Sequence, residues 1–297
     1  MKYIKLGPWE TSNFGLGVMP LSIENRPDKD TSIAVIHRAI DAGINHIDAA
    51  FAYYLSGGTA QNGEEQYSEK LVAEALRTYT GSADINNVTV ASKAGHYRYV
   101  GLNDEKLWGQ EGNPRYIYET GLKSRDALEM DSIDLYYYHR PDLNTKYELS
   151  IEALAKLIDD NVIKFAGISN ASTTQIDIAK SILGDKLIAV QNQFSPAKTA
   201  TIDTLNYCND NGLTFIPWSP LGGFRHPELF DKDAPFEEIA SKYNISKQQV
   251  ILAWEMQKNT MPIPGFRRFE TLDDSLKALS IDLSSDDISF LDKNSGL

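Results

Sequence analysis

The sequence predicts an α/β protein, a (β/α)8 barrel of the TIM type with a short N-terminal hairpin. Short apolar runs alternate with amphipathic helical segments, eight such units can be counted, and no linker-like or low-complexity stretch interrupts them. Alternating strands and helices imply parallel strands, and eight units suit a closed barrel. An open doubly wound sheet is the alternative, but no GxGxxG turn joins the first strand to its helix. We therefore expect residues 1–297 to form a single domain.

The first half of the chain contributes the hairpin and four barrel strands. Residues 2–6 and the turn at Gly7-Pro8 predict the hairpin. Isoleucines at 33, 36 and 40 share one face of a predicted helix, and Gly43 marks the end of that helix. Pro114 suits the first turn of a helix running to Met130, after a long loop at 94–113. Strands are predicted at 14–19, 46–50, 88–92 and 134–138, and further helices at 68–78 and 148–159.

The second half repeats the pattern four more times. Apolar runs predict strands at 165–168, 188–190, 214–216 and 261–263, separated by helices at 174–183, 201–211, 235–243, 247–257 and 271–279. Ser284, with Asp287 three residues later, resembles a capping box that opens a last short helix.

Composition narrows the class of partner. The chain has 29 Lys and Arg against 41 Asp and Glu, a net charge of −12, which argues against nucleic acid as a main partner. The lone Cys208 excludes an internal disulfide and suits a reducing compartment. The N-terminus has no apolar signal segment, and no stretch is long enough to span a bilayer. We expect a cytoplasmic protein with no membrane partner.

Polar residues follow the predicted strands where each strand ends. They are Asp48, Lys93, His139, Ser169-Asn170, Gln191 and Trp218, and Tyr53 follows Asp48 by five residues. Each has an ordinary structural explanation by itself, such as a capping carboxylate or a core histidine. In a barrel, however, the carboxyl ends of the strands converge on one rim, where active sites lie. A titratable triad and a phenol on one rim indicate a site.

With these residues the sequence resembles the aldo-keto reductases, NAD(P)H-dependent carbonyl reductases built on a (β/α)8 barrel. The resemblance covers almost the whole chain, and the order of its motifs is more specific than any one of them. The motifs are Asp48-Ala49-Ala50 with Tyr53, Ser68-Glu69, Ser92-Lys93, residues 134–142, Gly167-Ile168-Ser169-Asn170, Gln191-Asn192, Trp218-Ser219-Pro220-Leu221 and Ile263-Pro264-Gly265.

The resemblance implies that Tyr53 is the general acid and that Asp48, Lys93 and His139 complete a tetrad. Lys93 is then expected to lower the pKa of the phenol, and Asp48 to hold Lys93 in place. His139 can donate a hydrogen bond to the carbonyl oxygen as negative charge grows there. The substrate is a small carbonyl compound, in a pocket bounded by Met19, Phe51, Tyr54, Tyr97, Trp108 and Phe224.

The resemblance also implies a nicotinamide cofactor. Ser169, Asn170 and Gln191 suit its carboxamide, Trp218 can stack on its ring, and Ser219 and Leu221 would contact the pyrophosphate. Gly265, Arg267 and Arg268 precede a helix, and two arginines there make an anion site for a 2′-phosphate. We therefore expect NADPH, with NADH possible. Asp274 keeps a carboxylate near the adenosine, whereas Thr271 and Ser275 replace an Arg and an Asn that many members use.

Two other functions remain open from the sequence. In a metal-dependent barrel hydrolase, His46 and Asp48 would share a strand face and His139 would add a third ligand. Against this, later strands end in Ser, Asn and Gln, so we expect no metal. In a non-catalytic NADP-binding regulatory subunit, the tetrad would be dispensable, yet all four positions are present. The sequence does not indicate an oligomeric state.

Overall fold

The computed structural model describes residues 2–59, 61–223 and 234–297. The predicted hairpin consists of β1 (Tyr3–Leu6) and β2 (Trp9–Ser12), which pair antiparallel. Leu6 is fully buried and packs in one apolar cluster with Ile188 and Met261, with Trp9 and Phe165 beside it. Thr214, at the start of a barrel strand, donates its hydroxyl to the Lys5 carbonyl at 2.8 Å. The hairpin therefore covers the amino ends of the barrel strands.

Seven short strands form one parallel sheet in sequence order. The six that follow β3 (Leu16–Gly17) are buried along most of their length, as expected for strands covered on both faces. They are β4 (His46–Asp48), β5 (Thr89–Ala94), β8 (Ile133–Tyr138), β9 (Ile163–Ser169), β10 (Leu187–Gln191) and β11 (Thr214–Phe215), whereas β6 (His96–Val100) and β7 (Lys106–Gln110) form a separate sheet.

The segment 260–264 closes the sheet into a barrel. On one side Met261 N–H donates to Phe215 O at 3.0 Å, and Ile263 N–H donates to Pro217 O at 3.2 Å. On the other side the carbonyls of Pro262 and Pro264 accept from Gly15 and Gly17, both at 2.9 Å. Proline has no N–H, so both prolines occupy positions where only the carbonyl is needed. The predicted eighth strand therefore links β11 to β3, and the (β/α)8 barrel is confirmed.

Ten α-helices lie among the described residues. Side-chain caps mark several starts: Asp28 accepts from Thr31 N–H, Asn113 from Arg115 N–H, and Ser172 with Gln175 forms a capping box. Ser284 accepts from Asp287 N–H, which confirms the predicted start of the last helix. The helices are α1 (Lys29–Asp41), α2 (Tyr67–Thr78), α3 (Pro114–Ala127), α4 (Tyr147–Asp159), α5 (Thr173–Leu183), α6 (Ile202–Asp210), α7 (Ala234–Tyr243), α8 (Lys247–Met256), α9 (Phe269–Leu276) and α10 (Ser285–Ser295).

The long loop predicted at 94–113 was wrong, because this segment is an antiparallel β-hairpin. Strands β6 and β7 pair from His96 opposite Gln110 to Val100 opposite Lys106. His96 and Arg98 are buried, whereas Tyr97 and Tyr99 are 37% and 41% exposed. The residues of β6 do alternate, but the buried face carries the polar side chains and the exposed face the aromatic ones, the reverse of the usual pattern of a half-buried strand. This β6–β7 hairpin stands beside the carboxyl ends of β4, β5 and β8.

No helix in the three described segments has the length and apolar character needed to cross a membrane.

Candidate active site

Lys93 and Asp48 lie at the ends of the neighbouring strands β5 and β4 and form an ion pair inside the barrel. Neither side chain is accessible to solvent beyond a few percent. Lys93 Nζ also donates to Ala49 O at 2.7 Å, and the second Asp48 oxygen accepts from Gln191 Nε2 at 2.8 Å. Burial lowers the pKa of Lys93, and the Asp48 carboxylate opposes that change. Each member of the pair is therefore held by one further hydrogen bond, Lys93 by the Ala49 carbonyl and Asp48 by the Gln191 amide.

Tyr53 follows the end of β4 and lies over this pair, with Lys93 Nζ 5.1 Å from the centre of the phenol ring. The expectation that Lys93 lowers the pKa of the phenol was wrong for this structure. The pKa of Tyr53 is raised, first by burial and then by the Asp48 carboxylate, with Arg140 opposing both. The physical reason is that the Asp48 carboxylate offsets the Lys93 charge, so burial decides the direction. Tyr53 is therefore a phenol that keeps its proton at neutral pH.

His139 follows β8 and its ring lies beside that of Tyr53. Its backbone N–H donates to Ala94 O at 2.8 Å, and its ring centre is 5.7 Å from that of Tyr53, at 79°. Burial lowers the pKa of His139 well below its ordinary value, and His96, Lys93 and Arg140 lower it further. A neutral imidazole carries one N–H donor. His139 and Tyr53 together can therefore offer two neutral donors to one oxygen atom.

His96 is a residue of this site that the sequence analysis did not select. Its ring centre lies 4.6 Å from that of His139, and it stacks on Trp108 at 5.4 Å with the planes 28° apart. Trp108, a predicted pocket residue, lies edge-on to Tyr53 at 6.4 Å. Both residues come from the β6–β7 hairpin. The polar–aromatic alternation from His96 to Val100, only three residues beyond Lys93, was the available signal.

The residues expected to hold the nicotinamide form one hydrogen-bonded rim. Ser169 Oγ donates to Gln191 O at 2.6 Å and accepts from Asn170 Nδ2 at 2.9 Å. Asn170 Nδ2 also donates to His139 O at 3.0 Å, and Asn170 Oδ1 accepts from Trp218 Nε1 at 3.2 Å. These contacts leave the Ser169 hydroxyl and the Asn170 amide oxygen with further lone pairs. Such acceptors fit the NH2 group of a carboxamide, whereas the Gln191 amide N–H serves Asp48.

The Arg140 guanidinium carbon also lies 5.4 Å from the centre of the Trp218 ring. The loop after it has positive φ at Ser219, Gly222 and Gly223, and Leu221 packs against the core. Backbone of this kind can direct N–H groups toward an anion, which suits the expected pyrophosphate contact.

At the expected phosphate end, the two arginines differ in their contacts. Arg267 donates to Pro20 O at 3.2 Å and to Glu24 O at 2.8 Å, so its guanidinium braces the segment before α1. Arg268, exposed at the N-terminus of α9, is the cation with solvent access. Gly265 is required by close packing, since a Cβ there would lie 2.6 Å from Gly17 O.

The two residues expected near the adenosine sit on α9. Asp274 accepts from Ser246 Oγ at 2.5 Å and from Gln249 Nε2 at 2.6 Å, so it ties α9 to the start of α8. Ser275 is buried.

The predicted substrate pocket falls into two parts. Phe51, Tyr54 and Tyr97 border a cavity of about 380 Å³ that extends to Tyr116, Thr120 and Lys123 of α3. Tyr54 turns its hydroxyl to accept from Arg98 N–H at 3.2 Å. Met19 and Trp108 do not line this cavity, although Trp108 is beside Tyr53. Phe224 lies outside the described residues.

The residues considered for a metal site do not converge. In residues 2–59, 61–223 and 234–297, no three His, Cys, Asp or Glu side chains are arranged as ligands. His46 is fully buried, both its ring nitrogens are without hydrogen bonds, and burial lowers its pKa to about 4.

Comparison with known proteins identifies the family. The model of the aldo/keto reductase family matches residues 13–295. This chain is an aldo-keto reductase. It is 31% identical to a probable aldo-keto reductase of Glycine max, covering 96% of this chain and 86% of the relative. It is 29% identical to an uncharacterized oxidoreductase of Schizosaccharomyces pombe, covering 98% and 89%.

Solved aldo-keto reductase structures share the fold. A glycerol dehydrogenase from Gluconobacter oxydans superposes with a TM-score of 0.82 at 23% identity, covering 98% of this chain and 94% of that one. A thermostable aldo-keto reductase in complex with epalrestat gives 0.77 at 24% identity, covering 99% and 100%. Enzymes of this family are NAD(P)H-dependent oxidoreductases of small carbonyl compounds, and this protein belongs to that class.

Proposed function

We propose that this aldo-keto reductase reduces aldehydes and ketones to alcohols with NADPH, and that Tyr53 donates the proton. One observation carries the proposal: a protonated Tyr53 phenol contacts both the sealed Lys93–Asp48 pair and a neutral His139. The two neutral donors can hold a carbonyl oxygen at the barrel rim. Bound NADPH would supply a hydride to the carbonyl carbon.

The chain's own residues would stabilise the charge that develops on the oxygen. Tyr53 O–H and the His139 N–H donate hydrogen bonds that strengthen as the oxygen becomes negative, which lowers the barrier. The proton then passes from Tyr53 to the alkoxide, which is the stronger base of the two. Lys93 and Arg140 are the nearby cations that would compensate the transient phenolate. Asp48 and Gln191 hold Lys93 in position.

The nicotinamide end of the cofactor would be held by Ser169, Asn170 and Trp218. The remaining oxygen lone pairs of Ser169 and Asn170 match the NH2 group of the carboxamide, and the flat ring of Trp218 matches the nicotinamide ring. At the other end of the cofactor we assign the 2′-phosphate to Arg268. Arg267 instead holds the segment before α1 in place. This supports NADPH over NADH, and Arg268→Glu should raise KM for NADPH at least about 10-fold with little change for NADH.

The direct test is the loss of absorbance at 340 nm with NADPH or NADH and a panel of aldehydes and ketones of graded size. We expect oxidation of NADPH with several substrates, including bulky ones, and no effect of EDTA. Hydrolysis that stops on chelation would instead support the metal-dependent hydrolase. Tight binding of NADPH without oxidation by any carbonyl would support the regulatory subunit.

A further inference from the structure

The His139 ring is held by packing rather than by a hydrogen bond from its buried nitrogen. His139 Nδ1 is buried and has no hydrogen-bond partner. Metal-free catalytic imidazoles are ordinarily oriented by a partner at the second nitrogen. Here two rings contact the imidazole instead, Tyr53 edge-on at 5.7 Å and His96 at 4.6 Å with the planes 58° apart. The orientation of His139 therefore depends on what fixes those two neighbours.

His96 is fixed by a stack that ends in an ion pair. Its ring lies on Trp108, and the Arg98 guanidinium carbon lies 4.0 Å from the centre of the Trp108 ring. Arg98 donates to both Glu24 oxygens at 2.7 Å, and only 2% of its side chain is exposed. Arg98, Trp108 and His96 thus form one stacked column on the inner face of the β6–β7 hairpin, and it ends against His139.

We propose that His96 is a positioning residue that acts through His139, fixing the plane of that imidazole so that its N–H faces the carbonyl oxygen. The proposal deepens the proposed function and rests on it. His96 need not touch the substrate to act. A ring that rotates freely would present its donor only part of the time, and misplacement of a catalytic group by about 1 Å can cost 100-fold in rate.

A double-mutant cycle distinguishes action through His139 from an independent role. We expect His96→Ala to lower kcat about 10- to 100-fold with KM for the carbonyl changed less than about 3-fold. In a His139→Gln background the same change should cost less than about 2-fold, because no imidazole remains to be positioned. Equal losses in both backgrounds would overturn the proposal.

A ring-keeping variant separates packing from chemistry at His96 itself. His96→Phe retains an aromatic surface between Trp108 and His139, so kcat should recover to within about 3-fold of the wild type. If His96→Phe is as slow as His96→Ala, catalysis requires a nitrogen of His96, and the proposed positioning by packing is wrong. Tyr99→Ala, on the exposed face of the same hairpin, is the matched control and should leave kcat unchanged.

A readout independent of activity is the proton resonances of the imidazoles, since the chain has only five histidines. The charged and titratable groups around His139 are Lys93 of β5 with its partner Asp48, Arg140 and His96, with the Tyr53 phenol beside them. In the wild type the His139 signal should not titrate between pH 5.5 and 8. Removing His96 removes a neighbour that lowers the pKa of His139 and admits water, so the signal should begin to titrate in the lower part of that range.

An unchanged His139 titration in His96→Ala would contradict the proposal. Failure of the proposed function is a separate result. It would appear as a wild-type protein that fails to oxidise NADPH with any carbonyl of the panel, whatever the resonances show.

Discussion

The Lys93 ammonium and the Asp48 carboxylate form an ion pair that is closed off from solvent. Their remaining contacts, to the Ala49 carbonyl and the Gln191 amide, are also buried. Charges in such a place are tolerated only as a pair, because each alone would lose its hydration with no compensation. Tyr53 keeps its proton mainly because it is buried, and the paired charges leave no net positive charge beside it to oppose the effect of burial.

Lys93→Met should therefore destabilise the protein strongly as well as stop turnover. The variant leaves Asp48 buried beside an apolar side chain, which typically costs about 3–5 kcal/mol. Lys93→Met combined with Asp48→Leu removes both charges and should recover most of that loss while remaining inactive. Urea unfolding of the three proteins measures the difference. A loss below about 1 kcal/mol in the single variant would mean that the pair is not sealed.

His46 should make the fold sensitive to acid. Its pKa falls from 6.5 to about 4 in the folded state because the buried imidazole is desolvated. Below pH 6.5 the unfolded chain binds the proton first, so this contribution is fully present above 6.5 and is lost as pH falls to about 4. The expected loss is about 3 kcal/mol.

The wild-type curve alone does not isolate this effect, because Glu69 opposes it. Burial raises the pKa of Glu69 from 4.5 to about 7, so the folded state holds that proton and loses stability as pH rises through the same window. The difference in unfolding free energy between wild type and His46→Asn, measured from pH 4 to 7.5, removes the Glu69 contribution. It should fall steadily toward acid pH. A flat difference for His46→Asn would contradict the account.

Glu24 should control the stability of the β6–β7 hairpin. Its pKa is lowered to about 2 by the Ser56 amide and by Arg98, despite burial. Glu24→Gln leaves the Arg98 guanidinium buried without a counter-charge, and we expect a loss of about 2–4 kcal/mol. Amide hydrogen exchange should quicken in residues 96–110 before the barrel strands are affected. Glu119→Gln, whose ion pair with Arg115 is exposed, is the control and should change neither measurement.

Much of this fold could be predicted because the barrel strands and helices follow strong local patterns. The apolar runs and the polar residues after them located Asp48, Lys93, His139 and Ser169-Asn170 at strand ends. The segment 261–263 was also predicted correctly, although Pro262 within it and Pro264 directly after it limit it to an irregular strand. The β6–β7 hairpin was missed because its buried face is made of His96 and Arg98, which no periodicity of apolar residues can indicate.

Other features of the site depend on interactions between distant residues. Nothing in the local sequence shows that Arg267 donates to the carbonyls of Pro20 and Glu24, 247 and 243 residues away. The direction of the Tyr53 pKa depends on the balance between burial and the nearby charges, which strand-end positions do not provide. His96 was overlooked for the same reason: its role depends on a ring contact with His139 across two sheets.

Removing the phenol oxygen of Tyr53 tests most directly the central claim that Tyr53 donates the proton. In Tyr53→Phe the ring and its contacts with His139 and Trp108 remain, so NADPH should still quench tryptophan fluorescence with a Kd within about 3-fold of the wild type. Carbonyl reduction at 340 nm should fall at least about 1,000-fold, since the proton donor is gone. Turnover near the wild-type rate in a variant that binds NADPH normally would contradict the assignment of Tyr53.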